Sequence, residues 1–249
     1  MCDTMDISIE TVFGGQVTIA QPAKGERVGI DPILLNHVLP AFPHGRAADL
    51  GTGTGIIATL MVHTGRAAAA AAVEIMPDMA RCAATTVEQN NLQDRISVIN
   101  DDFRRWSVLA GEKHQYDLVV SNPPYHPLGR GHLSPDPLKA SARHEVNCEA
   151  PEVFKAMHRL LKPDTGVAAV IYPAYRLTEV LQQAATARLH PFLLYFLHPQ
   201  ACKPAGRFIL LMSKKPRELD IAAPLILHPQ QGRDKYLPPI EAILRGQAT

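Results

Sequence analysis

The sequence predicts an α/β fold, with a mainly parallel central sheet closed at one edge by an antiparallel hairpin. Three observations predict it. From Arg46 onward, strand-like and helix-like segments alternate, the pattern of a parallel sheet covered on both faces. The stretch "DLGTGTG" (49–55) joins the first of these strands to the first helix. Near the C-terminus "FLLYFLH" (192–198) and "RFILLMSKK" (207–215) read as two closing strands.

The elements follow in order. "AADL" (47–50) is a strand entering the glycine loop, and "IIATLMVHTG" (56–65) has helical apolar spacing ended by a glycine. "AAAAAAVEI" (67–75) has strong helix propensity, but the alternation requires a strand there, and topology is given precedence. "PDMARCAATTVEQNN" (77–91) is a helix, with Pro77 suited to its first turn and the asparagine pair to its end. "ISVIN" (96–100) and "YDLVVSN" (116–122) are strands, and "PEVFKAMHRLLKPDTG" (151–166) a helix. "VAAVIYP" (167–173) is a strand and "RLTEVLQQAATAR" (176–188) a helix. Residues 1–45 are expected to form an N-terminal arm covering the cofactor and substrate site. Residues 46–249 form the main domain, with a Pro-rich tail from about Pro216.

Composition narrows the classes. The 249 residues are 46% hydrophobic and 20% charged, enough to bury a sizeable core. A formal charge of +1 excludes a strongly basic nucleic-acid coat, so a polyanion would need a local patch. The acidic start "MCDTMDISIE" is no secretory signal, and no apolar run approaches a membrane span. Cys2, Cys82, Cys148 and Cys202 are scattered, which predicts neither a zinc site nor a disulfide framework, and no metal is expected. The expected location is the cytoplasm.

The glycine loop departs from the dinucleotide fingerprint, which needs glycine at position 56, where this chain has Ile56. Its spacing is acidic-x-G-x-G-x-G: Asp49, Gly51, Gly53 and Gly55, with Thr52 and Thr54 between the glycines. A carboxylate ahead of such a loop suits a cationic ligand better than a pyrophosphate. S-adenosylmethionine carries ammonium and sulfonium charges. Glu74, at the end of the next strand, is placed to accept hydrogen bonds from two ribose hydroxyls. Asp102 and Phe103, after the third strand, offer an acceptor for an adenine amino group and a flat face for its ring. Strand C-termini are where open α/β sheets bind ligands, and three successive strands carry these residues.

The fourth strand ends in "SNPPY" (121–125). As a dipeptide pattern this is an ordinary turn. Beside a methyl-donor pocket it does more. Each proline biases its predecessor to extended backbone, and Pro123 contributes a carbonyl with no N–H. The Asn122 side-chain oxygen and the Pro123 carbonyl then form two fixed acceptors for the two hydrogens of a planar exocyclic amine. Accepting both favours a pyramidal nitrogen whose lone pair faces the methyl donor. Tyr125 is suited to stack on a base flipped from its strand. The expected catalytic set is Asn122, Pro123 and Tyr125, with Asn122 also bordering the cofactor.

"DLGTGTG", "VEI", "DDF" and "VSNPPY" resemble, in order, motifs of the class I S-adenosylmethionine-dependent amino-methyltransferases, whose fold is Rossmann-like. Longer stretches, including residues 14–42, 129–145, 198–210 and 224–246, resemble the bacterial tRNA(Val) adenine N6-methyltransferase family. The resemblance implies methylation of an adenine beside the anticodon of a tRNA. It implies Asn122, Pro123 and Tyr125 at the target base, and Asp49, Gly51, Gly53, Gly55, Glu74 and Asp102 around the cofactor. Asp101 stands where many members carry glycine, so Asp102 is one of an adjacent acidic pair. Enzymes acting on DNA adenine, rRNA guanine or protein glutamine share the short Asn-Pro-Pro-Tyr motif, and these are the alternative substrates.

Asp31 in "VGIDPILL" (28–35) reads either as a helix N-cap ahead of Pro32 or as part of an arm lying over the cofactor's methionine end, as in related enzymes. Arg130, His132, Lys139, Arg143 and His144 follow the Asn-Pro-Pro-Tyr turn, and Lys203, Arg207, Lys214 and Lys215 flank the closing strands. From these, Arg130, Lys139, Arg143 and Lys214 are the expected phosphate-contacting residues, against the ordinary reading of solvated surface charge.

Overall fold

The computed structural model describes residues 5–24, 27–109, 113–123, 150–232 and 234–247. The arm is a folded unit. It forms an antiparallel hairpin, β1 (Ile7–Val12) and β2 (Val17–Pro22), followed by helix α1 (Asp31–Val38). The chain then alternates: β3 (Phe42–Leu50), α2 (Ile56–His63), β4 (Ala67–Glu74), α3 (Pro77–Gln89), β5 (Ile96–Asn100), α4 (Phe103–Leu109) and β6 (Leu118–Ser121). After the next described helix, α5 (Ala150–Leu160), come β7 (Val167–Pro173), α6 (Leu177–Thr186), β8 (His190–His198) and β9 (Arg207–Ser213). Two short strands, β10 (Asp220–Ile221) and β11 (Leu225–Ile226), and helix α7 (Pro238–Leu244) complete it.

Apart from the β1–β2 hairpin, the strands form one sheet in the order β10-β8-β9-β7-β6-β3-β4-β5, with β11 also on β8. Strands β5, β4, β3, β6 and β7 are mutually parallel, and β9 runs antiparallel to both β7 and β8. From β3 the chain steps outward to β4 and β5, then returns to β6 on the other side of β3. That reversal opens a crevice beyond the C-terminal ends of β3 and β6, the place where such sheets bind ligands.

The central strands are buried on both faces, and their alternate residues feed two apolar layers. On β4, Ala70 and Ala72 enter one layer and Ala71 and Val73 the other. On β7, Val167, Ala169 and Ile171 oppose Ala168, Val170 and Tyr172 in the same way. This explains the alanine run. Flanked by β3 and β5, its backbone is committed to two ladders, and burial on both faces outweighs helix propensity.

The arm and the tail both contribute to the core. Val17 and Ile19 of β2 and Leu34 and Leu35 of α1 are fully buried in the first layer. The hairpin is pinned to α3: the Ala20 amide donates to Thr86 Oγ1 at 2.9 Å, and Asn90 exchanges hydrogen bonds with Thr18. The tail adds Ile240 and Ile243 of α7, where Pro238 begins the helix at a position that needs no N–H.

Candidate functional site

The loop after β3 turns on three glycines with positive φ: Gly51 at 71°, Gly53 at 59° and Gly55 at 78°, where other side chains are strained. The Gly51 and Thr52 amides both donate to the Val73 carbonyl, at 2.9 and 3.0 Å, which folds the loop over the end of β4. Two of the glycines differ in purpose. A Cβ on Gly55 would stand 3.0 Å from the Ala83 Cα, so this glycine lets the loop close on α3. A Cβ on Gly51 would meet nothing within 4 Å among the described residues, so this glycine faces open space that a ligand can fill.

Two carboxylates frame the loop. Asp49 is completely buried; its Oδ2 accepts the Thr52 hydroxyl at 2.6 Å, and its Oδ1 is without a hydrogen-bond partner among the described residues. Burial pushes the Asp49 carboxyl up to about 7, against the opposing pull of the Thr52 hydroxyl and the nearby Ala58 backbone amide, and the Glu74 charge adds to the rise. A buried, half-satisfied carboxylate is costly alone and is relieved by a cation. Glu74, also buried, accepts the Gly53 amide on Oε2 and the Met76 amide on Oε1, both at 2.9 Å. The open glycine face, the orphaned Asp49 oxygen and the fixed Glu74 carboxylate fit a cationic ligand with a ribose.

At the end of β5, Asn100 Nδ2 donates to the Glu74 carbonyl at 2.8 Å and ties the two strand ends together. Arg104 holds both oxygens of Asp102, with Nε at 2.9 and 2.8 Å and Nη2 at 2.5 Å. Those bonds to Arg104 hold the Asp102 carboxyl below its ordinary range. Asp101 uses Oδ1 for the Asp102 amide and for Arg105. Phe103 is only 5% exposed and belongs to the second apolar layer, so its ring is mainly a core group. Helix α4, which begins there, was not foreseen from the sequence.

Strand β6 delivers the Asn-Pro turn to the same crevice. Asp49 lies opposite Val120 in the β3–β6 ladder, so Asn122, two residues on, is level with Gly51. Ser121 is buried and donates its hydroxyl to the Leu50 carbonyl at 2.7 Å, locking the strand ends across the switch point. Asn122 is half-buried and Pro123 buried. Tyr125, Arg130, Lys139 and Arg143 lie outside the described residues, as do His132 and His144.

Ser121, Asn100 and Thr52 act on the site through backbone and side-chain ties. For Ser121 and Asn100 the sequence carried a usable signal, a polar residue immediately after a buried apolar strand. Met76, 45% exposed beside Glu74, is a further apolar group at this rim that the sequence reading passed over.

Asp31 is not an N-cap. It lies within the first turn of α1, and its carboxylate pairs with Arg207 Nε at 2.6 Å. Arg207 starts β9 opposite Pro173, the last residue of β7, which sets the pair at the rim that carries Asn122. Lys214 is not brought there. Ser213, just before it, lies opposite Val167 at the start of β7, so Lys214 sits at the other end of the sheet.

Residues 28–136 match the methyltransferase small domain family. A tRNA1(Val) (adenine(37)-N6)-methyltransferase of Aeromonas salmonicida is 31% identical over 189 residues, covering 76% of this chain and 77% of that one. This chain belongs to that methyltransferase family. A Bacteroides fragilis relative of the same name is 32% identical over 176 residues, 71% of this chain and 72% of its own. A structure from Agrobacterium tumefaciens, described as a predicted O-methyltransferase, superimposes with a TM-score of 0.69 at 22% identity over 88% of this chain and 97% of that one. TYW2 of M. jannaschii, solved with AdoMet, gives 0.57 at 12% identity, covering 85% and 87%. These likenesses establish the class I, Rossmann-like fold, and the protein is an S-adenosylmethionine-dependent methyltransferase. None of the described helices of this methyltransferase is long and apolar enough to cross a membrane.

Proposed function

We propose that this methyltransferase modifies the exocyclic N6 of an adenine in the anticodon loop of a tRNA, at position 37 as in its named relatives, and works in the cytoplasm. The observation that carries the reading is the meeting, at one switch point, of the acidic glycine loop with the Asn122–Pro123 turn. The bound cofactor supplies an electrophilic methyl group. The chain's own residues do the rest. Asp49, through its buried carboxylate, favours a cation against Gly51 and Gly53, while Thr52 keeps that carboxylate oriented. Glu74, immobilised by two backbone amides, accepts from ribose hydroxyls. Since Arg104 engages both oxygens of Asp102, the neighbouring Asp101, with Oδ2 outside its own bonds, is the better acceptor for the cofactor adenine. Phe103 packs beneath it.

At the target base, the Asn122 oxygen and the Pro123 carbonyl take the two amine hydrogens, and Tyr125 stacks on the ring. No strong general base is needed, because the nitrogen becomes acidic only once methylated. The arm (1–45) covers the pocket. Its β2 end is anchored near the start of α3, where Arg81 bonds the Met5 carbonyl, and its α1 start is tied to Arg207. The test is nucleoside mass spectrometry of unmodified tRNA incubated with the protein and the methyl donor. N6-methyladenosine is expected. Label in guanosine, or in a protein glutamine acceptor and not in tRNA, would overturn the reading.

A further inference from the structure

At the sheet end away from the crevice, a groove of about 680 Å³ is bounded by the ends of α4, α5 and α6 and the start of β6. Lys113, His114, Lys155, His158, Arg159 and Arg188 line it, and no carboxylate does among the described residues. Lys214 joins them through its ammonium, 2.8 Å from His114 Nδ1 and 2.6 Å from the Leu161 carbonyl. In a chain of net charge +1 this is a marked concentration of one sign. Cations at the C-terminal ends of α5 and α6 complement the helix dipoles, which accounts for Arg159 and Arg188. It does not account for Lys113 and Lys214, which arrive from the approach to β6 and the exit of β9. The crowding has an electrostatic cost. Burial first, then the charges of Lys214, His114 and Arg188, hold His158 below its ordinary range, and burial with Lys113 brings Lys214 down to about 8. Among the described residues only Lys155 has a carboxylate partner there, Glu152 at 2.8 Å. Like charges held together on an open surface are stabilised by a polyanion.

Building on the proposed tRNA reading, we infer that this groove binds the phosphodiester backbone of the tRNA at a distance from the methylated base. The seven residues of β7 separate the two rims by about 20 Å, so phosphates in the groove belong to RNA beyond the target loop. Lys214 thus serves substrate binding from the far rim.

The test uses three exposed cations. Arg188 has a left-handed φ of 58°, which asparagine tolerates. The full-length variant Lys113→Ala/Lys155→Ala/Arg188→Asn and a charge-keeping control, Lys113→Arg/Lys155→Arg/Arg188→Lys, are titrated with intact tRNA by fluorescence anisotropy at several salt concentrations. The neutralised variant should bind about tenfold or more weakly, with a log–log salt slope shallower by about 2–3, and the control should match the wild type. Unchanged tRNA affinity and slope overturn the groove, including the case in which it captures an acidic protein instead. Methyl transfer to an isolated anticodon stem-loop, expected to be unaffected by these substitutions, reports separately on the catalytic reading.

Discussion

Glu74 is a bridge between two backbone amides: Gly53 in the glycine loop and Met76 after β4 each donate to a different one of its carboxylate oxygens. The loop is therefore set by the same group that is proposed to receive the ribose. Its buried position means neither amide has water as a ready substitute.

Replacing Glu74 should thus cost more than a ligand contact. Glu74→Gln keeps the shape but can accept on only one side, leaving one of the two amides facing an NH₂ group. Charge-assisted hydrogen bonds are worth about 1.5–3 kcal/mol each, so cofactor affinity should fall by about 10- to 100-fold. Titration calorimetry with the methyl donor and with its demethylated product measures this. Wild-type affinity in Glu74→Gln would mean that the carboxylate charge is irrelevant to the pocket.

Asp49 should give cofactor binding a pH dependence. Its folded-state value of about 7 lies above the unfolded 3.8, so the native state holds the proton more tightly. The sign follows: without ligand, this group's contribution to stability falls as pH rises from about 4 to about 7, then levels off. Only the ionised form complements a cationic ligand, so affinity should rise between about pH 6 and 8. Asp49→Asn should flatten that part of the profile and weaken binding, while its unliganded melting temperature above pH 7 equals or exceeds the wild type's. Thermal melts and affinities across this range, with both proteins, make the check.

How far the sequence carried the fold depended on where the information was local. Strands ending in Asn100 and Pro173 were readable because apolar runs between turn signals repeat along the chain. The alanine strand was readable only from its place in the alternation, since its composition argues for a helix. Asp31 admitted two readings, and its cap reading rested on Asp-Pro ahead of an apolar run, while its partner, Arg207, is remote in sequence. Glu74 and Asn122 were expected in one pocket because each ends a strand, and their strands flank β3, but the ties made by Ser121 and Asn100 depend on the relative height of strands. Lys214 shows the same limit from the other side: proximity in sequence to a closing strand does not say which rim it reaches.

The Asp31–Arg207 pair should matter more to the arm than to stability. With side chains 15% and 42% exposed, the pair is worth about 1 kcal/mol or less. Arg207→Met should lower the melting temperature by no more than about 4 °C. Amide exchange at the start of α1 should accelerate, and cofactor affinity should drop a few-fold as the arm's anchor at the rim is lost. Asp31→Asn should reproduce both effects, and the double substitution should add little, since each single change already breaks the pair. Unchanged exchange in α1 would remove the anchoring role.

Asn122 and Tyr125 should fail in different ways, because they are proposed to act at different moments. Asn122 is level with Gly51 across the β3–β6 ladder, and its oxygen matters most as the target amine becomes pyramidal. Asn122→Ala should therefore lower single-turnover methyl transfer far more than it lowers tRNA affinity. Asn122→Asp keeps an acceptor but adds a charge beside the base and should remain poor. Tyr125→Ala removes a stacking face worth about 1–3 kcal/mol, which should appear in binding as well as in rate. Tyr125→Phe keeps the face and should be nearly silent. The measurement is methyl transfer to a single tRNA under single-turnover conditions, with the dissociation constant of each variant. Native-rate transfer by Asn122→Ala would reduce the Asn-Pro-Pro-Tyr stretch to a turn that ends a strand. Equal damage in Tyr125→Phe and Tyr125→Ala would assign the role to the phenolic hydroxyl, because loss of the ring and loss of the oxygen alone would then be indistinguishable.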